Sequence, residues 1–481
     1  MKIFSVPTRI ILLAAATTAL AQPAPQTQLS HTTESLRGVS AVSRSIAWAS
    51  GTHGTYLRTT NAGRTWIPAQ VPDAATLDFR AVVAFSADEA FLMSAGPGDQ
   101  SRIYHTADAG QHWQLQFTNH NPKGFFDSMV FWDPTHGIVL GDPIPEETSP
   151  DENGPEEAGK YTGKLKFELL ITTNGQTWTP IPPSQLPPAI EGEGAFAASN
   201  TCLAILPTRI APTGTATTNS QSSVTKNPQS SATTNPQSLV TTNPKSSVTT
   251  NPKSLVTTNP KSSVIPSEAR DLGFAGATTA AVSAQPPKQP WKSGASAPRP
   301  PSEKQGASAP DPNIWFATGG SVARVFHSSD RGQTWQVFDT PIVHGPDSAG
   351  IFSIAFHDPT HGVIAGGDYK HPYQDGPNLA FTTDAGQTWT LSQIFPQAYF
   401  SAVAYDRKND NGRKTSAGNK NETQPRLFIA GPKFIYDFRP PQNPIRISPN
   451  KKSDVQFNAL SPCPEGGALA VGPKGAIATI P

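Results

Sequence analysis

The sequence predicts an all-β fold, a seven-bladed β-propeller of four-stranded antiparallel blades whose ring is closed by an N-terminal strand. Three observations predict it. A short motif that ends in Trp occurs five times, the intervals between these Trp residues are close to one repeat length, and each interval carries two apolar, strand-like runs. Pro and Gly number 49 and 38 among 481 residues, which favours many short strands with turns over a helical bundle.

The repeated motif begins with Thr or Ser, carries Asp or Asn at its third position, and continues through Gly to the final Trp. Asp and Asn side chains accept backbone N–H groups across a tight turn, and Gly adopts backbone angles that bulkier residues resist. The turn therefore joins two antiparallel strands, and the Trp begins the outer strand and buries its ring between neighbouring blades. The five copies, called box turns below, span residues 59–66, 106–113, 172–178, 328–335 and 382–389. Their predicted structural residues are Asn61, Trp66, Asp108, Trp113, Asn174, Trp178, Asp330, Trp335, Asp384 and Trp389.

The spacing of the box turns predicts the blades. Successive Trp residues are 47, 65, 157 and 54 positions apart. The long interval shrinks to about 55 when a low-complexity insert of roughly 100 residues is removed, and periods near 50 are typical of propeller blades. Within a unit, an apolar strand leads through a turn to a second strand, as in residues 128–132 and 137–141. His136 and His361 lie in matching Asp-Pro-Thr-His-Gly segments and are interpreted as turn residues.

Two further units without a box turn, residues 399–449 and 453–481, bring the predicted number of blades to seven. The last unit ends after its third strand, residues 475–480, whereas a spare segment around residues 27–34 precedes the first blade. We expect this segment to supply the missing outer strand, because an open sheet edge is thereby removed.

The N-terminus predicts export. Lys2 and Arg9 precede an apolar run, residues 10–21, that ends in Ala-Leu-Ala and is shorter than the roughly 20 residues needed to cross a bilayer. Residues 1–21 are therefore predicted to be a signal peptide and residues 22–481 the propeller domain, periplasmic or secreted, with no membrane span. An uncleaved anchor is the alternative.

Residues 207–310 form a low-complexity segment rich in Ser, Thr, Pro and Asn. An eight-residue repeat begins at Thr241 and recurs at Thr249 and Thr257. Such a segment has too few apolar residues to form a core, so we predict a disordered insert between the first two strands of blade four. A sugar-modified or protein-binding spacer is the alternative.

The overall charge gives no electrostatic reason to expect nucleic acid or an anionic membrane as a partner, since Lys and Arg total 37 and Asp and Glu 36. Cys202 and Cys463 fall on well-separated blades and are expected to be free. No glycine-rich nucleotide motif, Cys-x-x-Cys-His motif or Cys/His cluster occurs, so no cofactor and no metal are expected. We expect a monomer.

The candidate binding site is the rim of the central channel opposite the box turns, called the mouth below. The start of each innermost strand and the end of each second strand open there. The predicted mouth residues are Arg80, Asp127, Asp142, Glu193, Arg324, Ser353, Asp368 and Tyr369. Carboxylates, guanidinium groups and an aromatic ring suit a polar ligand, a sugar, a cation or a partner peptide.

Two other interpretations of these residues stay open. The side chains could hydrogen-bond one another and the loops around a water-filled channel. Alternatively, Asp127 could act with Asp142 or Asp368 as a catalytic carboxylate pair.

The box turns resemble the Asp-box, a BNR-like repeat of sialidases, sortilin-type receptors and the photosystem II stability/assembly factor family. The strongest resemblance, over residues 36–206 and 311–481, is to photosystem II assembly-factor-like propellers. It implies a non-catalytic scaffold that grips other proteins, with the ligand at the mouth and no catalytic residue assigned. The alternative is a glycoside hydrolase or carbohydrate-binding propeller of the sialidase-like superfamily. Sialidases carry an Arg-Ile-Pro segment, whereas Arg209 and Ile210 are followed here by Ala211.

Overall fold

The computed structural model describes residues 24–145, 164–206, 313–393, 398–407, 425–431, 434–439, 444–447 and 456–481. All of them belong to one compact unit. The predicted signal peptide and the predicted insert lie outside the described residues.

The described elements are almost all strands. The N-terminal strand β1 spans Gln26–Gln28, and blade one follows with β2 (Leu36–Ala41), β3 (Ala47–Gly51), β4 (Thr55–Thr59) and β5 (Ile67–Gln70). Blade two has β6 (Asp78–Ala84), β7 (Ala90–Ala95), β8 (Arg102–Thr106) and β9 (Gln114–Thr118). Blade three has β10 (Phe126–Asp133), β11 (His136–Pro145), β12 (Leu165–Thr172) and β13 (Thr179–Pro180), and β14 (Pro188–Ala189) also pairs with β12.

The remaining blades follow in chain order. The short β15 (Glu193–Gly194) precedes blade four, whose first two strands are β16 (Leu203–Ile205) and β17 (Ile314–Ala317). The short β18 (Gly319–Gly320) follows and belongs, with β15, to the sheet of blade five, and blade four ends with β19 (Arg324–Ser328) and β20 (Gln336–Asp339). Blade five has β21 (Ala349–Phe356), β22 (Gly362–Asp368), β23 (Leu379–Thr382) and β24 (Thr390–Leu391). Blade six has β25 (Ala402–Tyr405), β26 (Leu427–Ala430), β27 (Ile435–Phe438) and β28 (Ile445–Ile447), and blade seven has β29 (Ala459–Pro462), β30 (Ala468–Gly472) and β31 (Ala476–Ile480). Two short 3₁₀ helices span Gly98–Gln100 and Pro183–Gln185, and no described helix has the length and apolar character to cross a membrane.

Consecutive strands of each blade are neighbours in one antiparallel sheet, and the seven sheets form the predicted seven-bladed propeller. The apolar core lies between the blades. Each of seven buried clusters draws on two adjacent blades, and one of them joins blade seven to blade one. The Trp of each box turn packs into the cluster that its blade shares with the preceding blade, as Trp113 does against Trp48 and Tyr56 of blade one. Aromatic pairs of this kind contribute about 0.5–1.5 kcal/mol beyond the area they bury.

The box turns form the hydrogen bonds that their residue types predict. In all five, the Asp or Asn side chain accepts the backbone N–H of the residue before the Trp at 2.9 Å. The opening Thr or Ser hydroxyl accepts the N–H of the Gly, as Thr382 does from Gly386 at 3.0 Å. In blades one, two and five a backbone N–H of the box turn also donates to the turn between the first two strands of the same blade. These turns therefore have a structural role on the rim opposite the mouth.

The N-terminal strand closes the ring, as predicted. Residues 26–28 pair with β31 as the outer strand of blade seven. The Gln28 amide oxygen accepts the Trp66 indole N–H at 2.8 Å, and its NH₂ group donates to the Ala62 carbonyl at 3.2 Å and the Thr479 hydroxyl at 2.6 Å. Gln116 in β9 makes the equivalent contacts with the box turn of blade three, through Trp178 at 3.1 Å and Gly175 at 2.9 Å. The N-terminal strand thus copies an ordinary outer strand in side-chain detail as well as in pairing.

Smaller sequence predictions also have clear outcomes. His136 and His361 pair with Asp133 and Asp358 inside their own turns, at 3.0 and 2.8 Å. Both cysteines are buried and free. Strands β16 and β17 pair directly with each other, so residues 207–312 come between the first two strands of blade four in the sequence, as predicted.

Candidate functional site

A one-residue bulge near the start of the innermost strand recurs in four blades. The strand registers shift between Leu36 and Gly38, Phe79 and Ala81, Phe126 and Ser128, and Ile351 and Ser353. The extra residues are Arg37, Arg80, Asp127 and Phe352. Bulges leave one residue unpaired and re-aim its side chain, and they occur beside functional sites. Two basic groups, one acid and one aromatic ring therefore stand at equivalent positions of one rim.

The two bulge arginines are joined by a single carboxylate. Asp78, the first residue of β6, lies 3.0 Å from Arg80 Nε and 3.6 Å from Arg37 Nε. Arg80 also donates to the Ala197 carbonyl at 3.5 Å and lies 5.9 Å from the centre of the Phe125 ring. Burial lowers the pKa of Arg37, and Asp78 opposes that shift. Arg37 and Arg80 thus share one anionic neighbour, Asp78.

Three carboxylates of blade three lie next to this arginine pair. Asp127 and Asp142 lie on the paired strands β10 and β11, and Glu168 on β12 stands opposite Gly141. Asp127 is 1% exposed, and its Oδ2 has no hydrogen-bond partner among the described residues. Asp142 accepts the Ala195 backbone N–H at 2.9 Å. Three carboxyl groups therefore lie close together on adjacent strands of blade three.

The acidic group shows the effects of burial. Burial raises the pKa of Asp127 well above its usual value, with Asp142 and Glu168 adding to the rise and Arg80 opposing it. Burial also raises the pKa of Asp142 to about 6, against the hydrogen bond from Ala195. The pKa of Glu168 is raised by burial in spite of a 2.7 Å hydrogen bond from the Asn119 amide. Removing carboxylates from water disfavours their charged form, which is the common cause.

The opposite side of the mouth is aromatic. Phe352 stacks on Phe196 with ring centres 4.0 Å apart, and it meets Tyr399 and Tyr369 edge-on at 4.8 and 6.1 Å. Tyr369 is 48% exposed. Burial raises the pKa of Tyr399, with Tyr369 adding to the rise and Arg37 opposing it, so this aromatic side reaches round to the arginines.

Two short strands that extend the sheet of blade five support the aromatic side. Strand β15 pairs with β18, and β18 pairs with β21 at Gly319 and Gly350. A Cβ at Gly319 would stand 2.2 Å from the Phe196 ring, and one at Gly350 would stand 2.3 Å from the Gly319 Cα. Only glycine fits both positions, and Gly350 also has a φ of +152°.

The eight predicted mouth residues separate into two groups. Arg80, Asp127 and Asp142 come together, and Tyr369 lies on the aromatic side. Glu193 and Arg324 form a buried ion pair at 2.5 Å, and Glu193 also accepts the Thr318 hydroxyl at 2.7 Å. This pair joins β15 to β19 of blade four within the protein.

Ser353 and Asp368 are also occupied within the protein. Ser353 is fully buried one residue beyond the bulge, where its hydroxyl accepts the Val403 N–H at 2.9 Å and the Thr201 hydroxyl at 2.8 Å. Asp368 lies 2.7 Å from the His371 ring and orders the loop that carries Tyr369. Burial raises the pKa of Asp368, but its hydrogen bonds, with His371 first among them, lower it overall. The rim residue of blade five is therefore Phe352, where Ser353 was expected.

Several residues of this site were missed at the sequence level. They are Arg37, Asp78, Glu168, Phe196, Phe352 and Tyr399. All four bulges carry a common signal, an apolar residue, a variable residue and a small residue, seen in 36–38, 79–81, 126–128 and 351–353. Aligning the units on that triplet identifies Arg37 beside Arg80 and Asp127, and the same alignment selects Phe352 over Ser353. No comparable local signal marks Phe196 or Tyr399, which reach the mouth from linkers between blades.

Comparison with known proteins adds similarities of fold. No protein-family model and no curated protein sequence matches this chain. Among solved structures, it is similar to YCF48 bound to D1 peptide, at 13% identity and a TM-score of 0.48, covering 97% of this chain and 99% of that one. YCF48 from Cyanidioschyzon merolae matches at 11% identity and a TM-score of 0.34, covering 95% and 99%. An ancestral GH74 enzyme matches at 9% identity and a TM-score of 0.48, covering 95% of this chain and 46% of that one.

Proposed function

We propose that this chain is an exported, non-catalytic propeller that acts as a binding or assembly scaffold and holds a segment of a partner protein at the mouth. The observation that carries the proposal is the set of four bulges. They place charged and aromatic side chains of several blades around one rim, whereas the box turns of the opposite rim form hydrogen bonds within their own blade and to the adjacent blade. Export is supported by the basic and apolar pattern of residues 1–21.

A partner segment suits this rim better than a small enclosed ligand. The exposed Tyr369 stands at the edge of the aromatic side, while the carboxylates lie deeper in blade three. A peptide can contact both at once, because its side chains project at intervals along an extended backbone. The resemblance of the box-turn repeats to photosystem II assembly-factor-like propellers agrees with this type of partner.

The test is selection from a displayed library of random peptides. We expect the propeller to select peptides whose binding is lost or weakened in Tyr369→Ala. Leu115→Ala is the matched control, because Leu115 is 46% exposed on the outer strand β9, away from the mouth. If no peptide binds, or if all selected peptides bind both variants as they bind the original chain, the scaffold proposal is wrong.

A second candidate is a glycoside hydrolase or carbohydrate-binding propeller. The specific observation in its favour is the pair Asp127 and Asp142, two neighbouring carboxyl groups with raised pKa values, since a glycosidase needs one carboxyl group that stays protonated. Screening against a panel of aryl glycosides, beside Asp127→Asn and Asp142→Asn, separates the two candidates. Turnover that depends on these carboxylates would establish the hydrolase.

A further inference from the structure

The described part of the mouth contains four carboxylates, Asp78, Asp127, Asp142 and Glu168, and two guanidinium groups, Arg37 and Arg80. Asp78 lies 3.0 Å from Arg80 Nε and 3.6 Å from Arg37 Nε, which makes no hydrogen bond within the described residues, and Arg80 has the Ala197 carbonyl as well. By contrast, Asp142 has one backbone N–H and Glu168 has the Asn119 amide. None of these donors to the acids carries a charge, so the mouth as a whole favours an incoming cation over an incoming anion.

Asp127 provides the decisive observation. It is one of the four bulge residues and is only 1% exposed. Its Oδ2 lacks a hydrogen bond within the described part of the chain. A buried carboxylate oxygen without a donor is costly, because the lost hydration is not replaced. The bulge therefore holds an acceptor ready at the rim, at a cost that an incoming N–H donor would remove.

The type of cation follows from the geometry. Within the described ranges, no group of three or more His, Cys, Asp or Glu side chains is arranged to hold a metal ion. Asp127, Asp142 and Glu168 instead lie across three adjacent strands of one sheet. Acceptors spread in this way suit a group with several N–H donors, which can bond to more than one carboxylate at a time.

We propose that the acidic wall of Asp127, Asp142 and Glu168 binds a protonated amine or guanidinium group, the basic side chain of the partner segment. This inference rests on the proposed function and specifies the chemistry of its ligand. The partner's Lys or Arg enters beside blade three, and its neighbouring residues extend toward Phe352 and Tyr369.

Binding of a cation is coupled to protons. The groups facing the two aspartates are Arg80 from β6, Glu168 from β12 and the buried Cys202 thiol ahead of β16. A bound cation stabilises the ionised carboxylates, so their protons are released on binding and affinity rises as the pH increases through about 6, the pKa of Asp142. An anionic ligand on the arginines would show the opposite dependence.

The test uses short capped peptides, acetyl-Gly-Gly-X-Gly-Gly-amide, in which X is Lys, Arg, norleucine or Glu. We expect titration calorimetry to show that the Lys or Arg peptide binds at least about tenfold more tightly than the norleucine peptide, because charge-assisted hydrogen bonds are lost in the latter. Calorimetry near pH 6 in two buffers of different ionisation heat should show proton release. Free spermidine, measured alongside, distinguishes a small amine ligand from a basic side chain within a peptide.

Asp127→Asn should weaken binding of the Lys peptide at least about tenfold while keeping the side-chain shape. Asp73→Asn is the matched control, since Asp73 is exposed and its φ of +59° is one that Asn accepts readily. Thermal unfolding verifies that each variant is folded. Binding of the Lys peptide by Asp142→Asn, and the pH dependence of binding by the original chain, test the inference without changing Asp127.

The inference is overturned if the norleucine or Glu peptide binds as well as the Lys and Arg peptides, if neither basic peptide binds, or if Asp127→Asn and Asp73→Asn bind alike. If library peptides still bind at Tyr369 in those cases, the scaffold proposal stands and only the cationic ligand is wrong. If no peptide of any composition binds at the mouth, both are wrong. Tight binding of spermidine with no binding of either basic peptide would also overturn the inference, because the acidic wall would then bind a small amine and not a peptide side chain.

Discussion

Gln28 allows closure of the ring to be tested with a single substitution. Its side chain joins the N-terminal strand to blade one through Trp66 and Ala62, and to β31 through Thr479. Gln28→Ala removes all three hydrogen bonds and leaves the indole N–H of Trp66, a residue that is 1% exposed, without its acceptor.

The expected loss follows from these contacts. A net hydrogen bond contributes about 0.5–1.5 kcal/mol, and a buried donor left unpaired costs about 1–3 kcal/mol. Since the NH₂ bonds are partly exposed, we expect Gln28→Ala to lower the free energy of unfolding by about 2–4 kcal/mol. Gln28→Glu retains an acceptor for Trp66 but has no NH₂ group for the Ala62 carbonyl, so its loss should be smaller.

The assay is urea unfolding together with limited proteolysis. Gln116→Ala is the internal comparison, because Gln116 makes two of the same contacts within the middle of the chain. It should lose a similar amount of stability, but only Gln28→Ala should also release the N-terminal segment to protease, because β1 is held by three paired residues and these side-chain bonds.

Gln26→Ala is the matched control, an exposed Gln in the same strand, and it should change stability by less than about 0.5 kcal/mol. If Gln28→Ala and Gln26→Ala unfold at the same urea concentration and resist protease equally, the side-chain account of ring closure is refuted.

Three further substitutions test other parts of the structure by urea unfolding. Asp142→Asn should raise stability by about 1–3 kcal/mol above pH 7, since a pKa raised to about 6 makes the folded state lose stability as the pH rises from the unfolded pKa to the folded one. Glu193→Gln should cost about 3–5 kcal/mol, because it leaves the buried Arg324 without its counter-ion. Asp384→Ala should cost about 1–2 kcal/mol at neutral pH by removing the turn's acceptor, and the difference should shrink as the pH falls through the lowered pKa of Asp384.

Each of these has an outcome that contradicts it. If the free energy of unfolding of Asp142→Asn parallels that of the original chain at every pH, burial does not raise the pKa of this carboxyl group. Glu193→Gln should be compared with Glu191→Gln, a substitution at a nearby exposed position. Equal losses of unfolding free energy would mean that the ion pair does not stabilise the fold. Asp384→Asn should be nearly neutral, because Asn61 fills the same place in blade one, and a loss equal to that of Asp384→Ala would contradict the turn mechanism.

The sequence by itself determined the number of blades, the places of the box turns, the strand that closes the ring and the point where the insert leaves it. These features depend on local chemistry. A side-chain acceptor, a Gly and a Trp at fixed spacing specify a turn wherever they occur, and repetition of that turn specifies the blade.

Only the tertiary structure decided which side chains meet at the mouth. A one-residue bulge reverses the alternation of side chains between the two faces of a strand. For this reason Phe352 and not Ser353 stands at the rim of blade five. The period-two pattern of apolar residues in a strand does not indicate where such a bulge occurs. Blade six, which lacks a box turn, is tied instead by Arg426 to Asp406 and Asp437, at 3.1 and 2.8 Å.

The contacts that join distant parts of the chain were likewise beyond the sequence. Glu193 pairs with Arg324 across 131 residues, most of which belong to the insert, and Arg37 lies near Tyr399 across the closure of the ring. Such pairs depend on the angle and radius at which whole blades pack around the axis. That geometry is set by the apolar clusters between blades, and no single segment of the sequence encodes it.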